Sequence, residues 1–453
     1  MMKKITAFLV ALLTMFCFTG CEFILYEESR ITNPRDTEDI YAAIDEGSPR
    51  EEEALSGKLE IQIWTNESEL SDKMWRLVIG KFEEVTGVSV TAHIGSTVNT
   101  QLSTRWQDGN PPDVVFLSGS GLPDSEWEKN GVIEEISDVI ENGYVYGTDK
   151  KISDVVYKDV FERSGENAGY YRAGVSASAY GIFYDENYLK SFNLSVPNNY
   201  DELMKFVEDS VAAGAPSVFT TYGMVGSYTT WAMIMNALAF EGQELIDGLL
   251  LAKKSAWQSE EVRKILTRWR EFSTTDGVLL TGTPSFDHTT AHMNWLNHKA
   301  LLCGDGIWLP WEVKNNTPST FAMGYRTSPL ADAGKDPAVI AYPSTCAIAS
   351  KAKNKKNAEA FVRFLYTKYV QQVLGSYEGY IPARNDLTAA DMPEITEVSK
   401  KNLEYLLGGS VDLVWRRYNW GSLNEVVNGA VQQLMTGAVT VDEAVNRISA
   451  KTV

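Results

Sequence analysis

Between Leu59 and Leu117 the chain alternates short strand patterns with helical ones, and few folds accept that rhythm. Leu59-Glu60-Ile61-Gln62-Ile63-Trp64 alternates apolar and polar residues, as a strand does. Lys73 to Thr86 follows with Met74, Leu77, Val78, Lys81, Phe82 and Val85 at helical spacing, and Gly87 ends it. Val88 to Ile94 reads as a second strand and Thr97 to Gln107 as a helix. Asp113 to Leu117 is a short, nearly all-apolar strand after Pro111-Pro112. Strands that alternate with helices imply a parallel sheet covered on both faces. In such sheets ligands bind beyond the carboxyl ends of the strands. Here those ends are Thr65-Asn66-Glu67 and Ser118-Gly119-Ser120-Gly121.

The α/β pattern continues. Tyr180 to Tyr184, Leu301 to Cys303 and Thr345 to Ser350 read as strands. Helices are predicted over Asp185 to Phe192, Tyr200 to Ala213, Trp231 to Phe240 and Glu260 to Phe272. Further helices are predicted over Asn357 to Tyr366, Val370 to Tyr377, Glu425 to Thr436 and Val441 to Ala450. At 453 residues the chain exceeds what one core organises, so two domains are expected. A net charge of −19 argues against nucleic acid or an anionic membrane surface as partner.

The N-terminus reads as a targeting segment. Lys3 and Lys4 precede an apolar run, Ile5 to Phe18, which is short for a bilayer span. The FTGC that follows resembles the bacterial lipobox, although Phe18 stands where Leu is usual. The resemblance implies removal of residues 1–20 and lipidation of Cys21, giving an anchor of more than one acyl chain; a plain secretory signal is the alternative. Glu22 to Gly57 carries eleven acidic and three basic residues with few large apolar groups. Such a stretch buries too little surface to offset its ordering entropy, so residues 21–57 are expected to form a flexible acidic tether. In the body only Cys303 and Cys346 remain, each in an apolar run. Two buried free thiols are expected, with a disulfide as the alternative.

Several blocks match one family in the same order: IQIWTN, FEEVTGVSV, PPDVVFLSG, GIFYDENYLKSFNLSVPNNYDEL, AIASKAKNKKNAEAFVRFL, GYIPARND and TVDEAV. They resemble family 1 of the bacterial extracellular solute-binding proteins of ABC importers, which includes maltose and oligosaccharide binders. Two departures are Asp185 where Asn is usual and Tyr200 in place of Trp. The resemblance implies a type II periplasmic-binding-protein-like fold, with two α/β lobes hinged by three crossovers. Residues 58–175 with 345–391 would form lobe 1, and residues 176–344 with 392–453 lobe 2. It implies a monomeric, lipid-anchored receptor on the extracellular or periplasmic side. The receptor would capture a carbohydrate, expected to be an oligosaccharide, and deliver it to membrane permease subunits. No cofactor and no enzymatic activity are implied.

Sugars present apolar C–H faces and hydroxyl edges, so their sites combine aromatic rings with polar side chains. By the resemblance, Asn66 and Glu67 lie in the loop after the first strand, and Ser118 and Ser120 in the loop after the third. Each is read as a ligand contact or as a turn or cap residue. Ser176 and Ser178 fall on a crossover. Tyr228 and Trp231 fall where the family places a contacting aromatic, Trp231 with helix core as its alternative. In GDGIWLPW, Trp308 aligns with a sugar-stacking tryptophan. Trp311 and Asp305 are further candidates, Asp305 with turn capping as its alternative. Tyr342, Tyr380 and Trp420 are read as contacts or as packing between lobes. Asn424 and Glu425 replace the family's C-terminal aromatic pair, and Trp415, Tyr418 and Trp420 stand nearby as substitutes.

DHTTAHMNWLNH offers Asp287, His288, His292 and His298, with the first two histidines at i, i+4. The residue after His288 is Thr289 rather than the Glu of a zincin, and no fourth ligand lies close in sequence. A surface helix is expected, and no metal is assigned. Two other functions stay open. A polyamine or phosphate-ester binder would use the same fold, and Arg384, Arg416 and Arg417 are the basic residues relevant to phosphate. A carbohydrate-active enzyme would need paired carboxylates, for which Glu67 and Asp305 are the candidates.

Overall fold

Leu59, Ile61 and Ile63, which alternate with Glu60 and Gln62, are buried in strand β1 (Lys58–Ile63). The computed structural model describes residues 48–65, 69–118, 122, 126–164, 169–393, 395–417 and 420–453. Strands β2 (Ser89–Ile94) and β3 (Val114–Phe116) both pair parallel with β1, as the rhythm requires. Helix α1 (Glu69–Thr86) connects β1 to β2 and buries Met74, Trp75, Val78, Ile79 and Phe82. Val85, expected on that face, is 39% exposed, because the buried stripe runs through positions 75 and 79 instead of 77, 81 and 85. The single helix expected over Thr97 to Gln107 is two short ones, Val98–Gln101 and Ser103–Gln107.

Strands β4 (Arg163–Ser164) and β5 (Gly169–Tyr170) pair with each other, apart from the main sheet. Seven more strands join the main sheet. They are β6 (Ala173–Asp185), β7 (Ser217–Thr221), β8 (Ala300–Gly306), β9 (Met323–Arg326), β10 (Ala338–Ile348), β11 (Ile381–Pro382) and β12 (Asp412–Trp415). The order is β2-β1-β3-β10-β6-β8-β7, with β9 and β11 on β6 and β12 on β10.

β6 is far longer than the strand expected at Tyr180 to Tyr184, and it changes partners midway. From Ala173 to Ala179 it pairs antiparallel with β10, and β11 joins it at Ser176 and Ala177. From Tyr180 to Asp185 it pairs antiparallel with β8 and β9. Asn236 sits at the handover. Its Nδ2 donates to the Tyr180 carbonyl at 2.6 Å, and its Oδ1 accepts from the Ile340 amide at 2.9 Å. A buried side-chain amide thus serves backbone groups that the two strands no longer offer each other.

Helices α2 (Tyr200–Ala212), α3 (Glu260–Thr274), α4 (His288–Leu296) and α5 (Leu309–Glu312) flank the β7–β8 side. Helices α6 (Lys355–Phe364) and α7 (Lys368–Glu378) follow β10, and α8 (Leu423–Met435) and α9 (Val441–Ser449) close the chain. On α3 the buried residues Val262, Ile265, Leu266 and Trp269 are those the spacing predicts. Cys303 and Cys346 are free and buried.

Residues 1–47, with the expected signal, Cys21 and most of the tether, lie outside the described residues. Residues 48–57, assigned to the tether by composition, are fastened to the body. Arg50 lies over the Tyr144 ring at 3.8 Å, and Glu52 accepts from Arg363 Nη1 at 3.0 Å. Lys356 pairs with Glu53.

Glu60 shows what secures the β1–β2 edge. It takes Arg105 Nη2 at 2.8 Å, and His93 Nε2 lies 2.6 Å from its other oxygen. Burial alone would raise its carboxyl, but the hydrogen bonds and charges of Arg105 and His93 outweigh it and hold the group at about 2. A depressed carboxyl contributes stability above its unfolded value of 4.5 and loses it as pH falls toward 2. Glu60→Gln is therefore expected to lower the urea midpoint at neutral pH. The gap from the parent protein should narrow as both are titrated from about pH 6 to about pH 3.5.

Candidate functional site

The glycines of GDGIWLPW are explained by what packs on them. A methyl group at Gly306 would lie 2.2–2.4 Å from the six-membered ring of Trp308, so the indole folds back directly over the backbone at 306. A methyl group at Gly304 would likewise lie 2.9 Å from the Phe219 ring. Asp305 between them is fully buried. Its Oδ1 accepts from the Gly306 amide at 2.7 Å, and its Oδ2 lies 2.7 Å from His292 Nε2. Asp305 holds the turn from behind, as its turn-capping alternative has it. Pro310 enters the first turn of α5, where a missing N–H costs nothing.

Trp308 is half-buried and meets Tyr180 edge-on, with centroids 5.0 Å apart at 85°. Tyr228 stands 6.2 Å from Trp308 at 88° and 5.5 Å from Tyr180 at 90°. Tyr222 and His288 border this group. Tyr180 is the one β6 residue that is only partly buried, and it lies at the strand's change of partners. Burial pushes the Tyr180 hydroxyl well above its usual range; Tyr342 and Asp305 add to this and Arg416 opposes it. Burial does the same to Tyr228, reinforced by Asp305.

A second aromatic group adjoins the first. Trp231 and Trp420 stack at 4.9 Å and 24°, and Tyr342 meets Trp231 edge-on at 5.8 Å. The Arg416 guanidinium lies 4.0 Å from the Tyr342 centroid and 5.3 Å from that of Trp231. Trp231 and Trp420 are nearly fully buried and belong to the large apolar core, so both follow the packing alternative. The helix expected from Trp231 carries a π-helical stretch, Thr230–Met235, just there. Such bulges recur at functional sites. The Trp420 Nε1 and the Thr229 and Thr230 hydroxyls are buried without a hydrogen-bond partner among the described residues.

The other candidates are spread around these groups. Ser178 is buried opposite Tyr342 in the β6–β10 register, next to buried Ser176. Tyr380 is half-buried just before β11. Trp311 lies on α5, with Lys314 Nζ 5.3 Å from its ring. Ser118 is exposed, and its carbonyl accepts from Asn99 Nδ2 at 2.9 Å. That bond ends a buried chain in which Trp106 donates to Gln62 and Gln62 to Asn99. Trp415 is buried against Tyr157. Asn66, Glu67, Ser120 and Tyr418 lie outside the described residues.

Of the basic residues relevant to a phosphate, Arg384 is fully buried with Asp386 at 2.6 and 2.7 Å. Arg417 pairs with Asp159 at 2.9 Å. The histidine segment differs from the expected surface helix, because α4 turns His292 inward with Ala291, Trp295 and Leu296. The sequence reading missed Tyr180, Tyr222 and Arg416 as members of the aromatic site. The signal available for Tyr180 was its place at one end of an apolar strand.

The mixed α/β sheet, with β6 shared between two sets of partners, is that of a periplasmic-binding-protein-like fold. The chain belongs to the bacterial extracellular solute-binding protein family, whose pattern it matches over residues 65–372. It is 23% identical over 390 residues to a multiple sugar-binding protein of Streptococcus mutans, covering 84% of this chain and 87% of the relative. It is 24% identical over 247 residues to the diacetylchitobiose binding protein NgcE of Streptomyces coelicolor, covering 53% of this chain and 50% of that one. Among solved structures it resembles the apo form of RafE from Streptococcus pneumoniae, with a TM-score of 0.64 and 19% identity, over 88% of this chain and 98% of the other. RafE is also known in complex with raffinose, and that structure matches with a TM-score of 0.62 and 21% identity, over 86% and 98% of the two chains.

Gly306→Ala tests how the turn presents Trp308. The added methyl should push the indole off the backbone and change the near-ultraviolet circular dichroism, leaving the far-ultraviolet spectrum unaltered. An unchanged near-ultraviolet spectrum would show that Trp308 does not depend on this contact.

Proposed function

We propose that the protein is the carbohydrate receptor of an ABC importer, tethered to the membrane by lipid on Cys21. It would close residues 58–175 with 345–391 against residues 176–344 with 392–453 around an oligosaccharide and present it to permease subunits. The observation that carries the sugar reading is the half-buried cluster of Trp308, Tyr180 and Tyr228 where β6 changes partners. Aromatic rings match the C–H faces of pyranoses, and Tyr hydroxyls and Arg416 supply polar partners for the edges. The sugar-binding relatives and the raffinose complex of RafE support the same class of ligand. Ligand contacts with both halves favour the closed state only, which is how binding energy becomes a signal to a permease.

A phosphate-ester ligand is less favoured, since Arg384 and Arg417 are already engaged with carboxylates. Hydrolysis is less favoured too. Asp305, the carboxylate that reading needs, is fully buried and bonded to His292 and the Gly306 amide.

A thermal-shift screen over mono- and oligosaccharides, polyamines and phosphate esters tests the ligand class. A shift of several degrees with at least one carbohydrate, recovered chemically intact, is expected. Stabilisation by polyamines alone, or recovery of a cleaved sugar, would overturn the reading. With the sugar so found, Trp308→Ala should weaken binding ten-fold or more, about 1.4 kcal/mol, at unchanged thermal stability. Anchoring has its own test. Cys21→Ser should move the protein from the membrane fraction to the soluble fraction, and retention of the variant at the membrane would contradict lipidation there.

A further inference from the structure

The histidine pair of α4 meets two carboxylates that are distant in sequence. His288 and His292 stand one turn apart on the same helix face, with ring centroids 5.0 Å apart. Asp305 comes from the end of β8 and Glu312 from α5. One potential ligand atom from each of these four residues lies within 4.8 Å of the other three. We infer that His288, His292, Asp305 and Glu312 form a binding site for a divalent transition-metal ion of the zinc type.

The donor set fits that ion class. Two imidazoles with two carboxylates suit zinc and its neighbours better than calcium or magnesium, which take mainly oxygen. Charge fits as well, because two carboxylates match a dication. His292 and Asp305 are buried, where uncompensated charge is costly. Asp305 is already oriented for the task, since its Oδ1 is held by the Gly306 amide while Oδ2 faces His292. Such outer-shell bonds are what fix metal ligands in place. Glu312 lies 3.9 Å from His292 Nε2 and is the most exposed of the four. Bonds of about 2.0–2.2 Å require the four atoms to draw together from their present spread. That contraction exchanges the His292–Asp305 and His288–Tyr228 contacts for bonds to the ion.

The position has a structural consequence. Asp305 and Glu312 bracket Gly306 to Trp311, the segment that carries Trp308. An ion joining both ends of that segment to α4 ties the turn to a rigid helix. The site itself stands independently of the sugar reading, because the metal alone is the probe.

Full-length protein stripped with chelator is titrated with zinc chloride by calorimetry and by thermal unfolding. One zinc per chain, with micromolar or tighter affinity and a rise in unfolding temperature, is expected. X-ray absorption at the zinc edge should show two imidazoles among the ligands. His292→Ala alters a buried residue and is open to misfolding, so the deciding variant is His288→Gln with Glu312→Gln. It should fold as the parent does and bind zinc at least ten-fold more weakly. Absence of zinc binding up to about 100 μM, or undiminished binding by a folded double variant, would overturn the inference. So would an absorption spectrum without imidazole.

Discussion

One strand holds the two halves of the sheet together. β6 gives its first half to β10 and β11 and its second half to β8 and β9, and it is buried along its length except at Tyr180. A change of partners within a strand leaves backbone groups that neither neighbour serves. Buried Asn236 answers this by accepting from one strand and donating to the other, and Tyr325 adds a second donor to the Tyr180 carbonyl at 2.9 Å. At the switch one side chain is only partly buried and packs against the edge of the core. That side chain is an aromatic ring, and the candidate site is assembled around it.

The turn after β8 serves the same place from the other side. Gly304 and Gly306 let Phe219 and Trp308 approach the backbone more closely than any side chain would allow. Asp305 points inward and uses its charge to fix the turn and His292. The tryptophan is thus set by backbone packing and by a buried carboxylate, not by a mobile loop. Such preorganisation reduces the ordering cost of binding.

Much of the fold was legible in the sequence. The β-α-β rhythm from Leu59 to Leu117 gave a parallel β1–β2–β3 sheet, and the apolar stripe of α3 was read residue by residue. What escaped was set by tertiary contacts. The antiparallel partners of β6 depend on segments more than a hundred residues away, so its true length could not be read from Tyr180 to Tyr184 alone. Trp231 read as a ligand contact or helix core and Trp420 as a contact or packing between lobes, and both are buried in the large core cluster. Asp305 read equally as a ligand contact or a turn cap, and its bonds to the Gly306 amide and His292 are those of a cap. The histidines lacked a visible third and fourth partner because β8 and α5 supply them. Trp308 was legible from its motif, and its closeness to Gly306 explains why that motif begins with glycines.

The central claim is that a carbohydrate lies against the aromatic ring at the crossover strand. The most direct measurement is a crystal structure with an oligosaccharide that stabilises the protein. A pyranose ring stacked on the Trp308 indole, with Tyr180 or Tyr228 at its edge, is the predicted result. A sugar bound with Trp308 out of contact would contradict it.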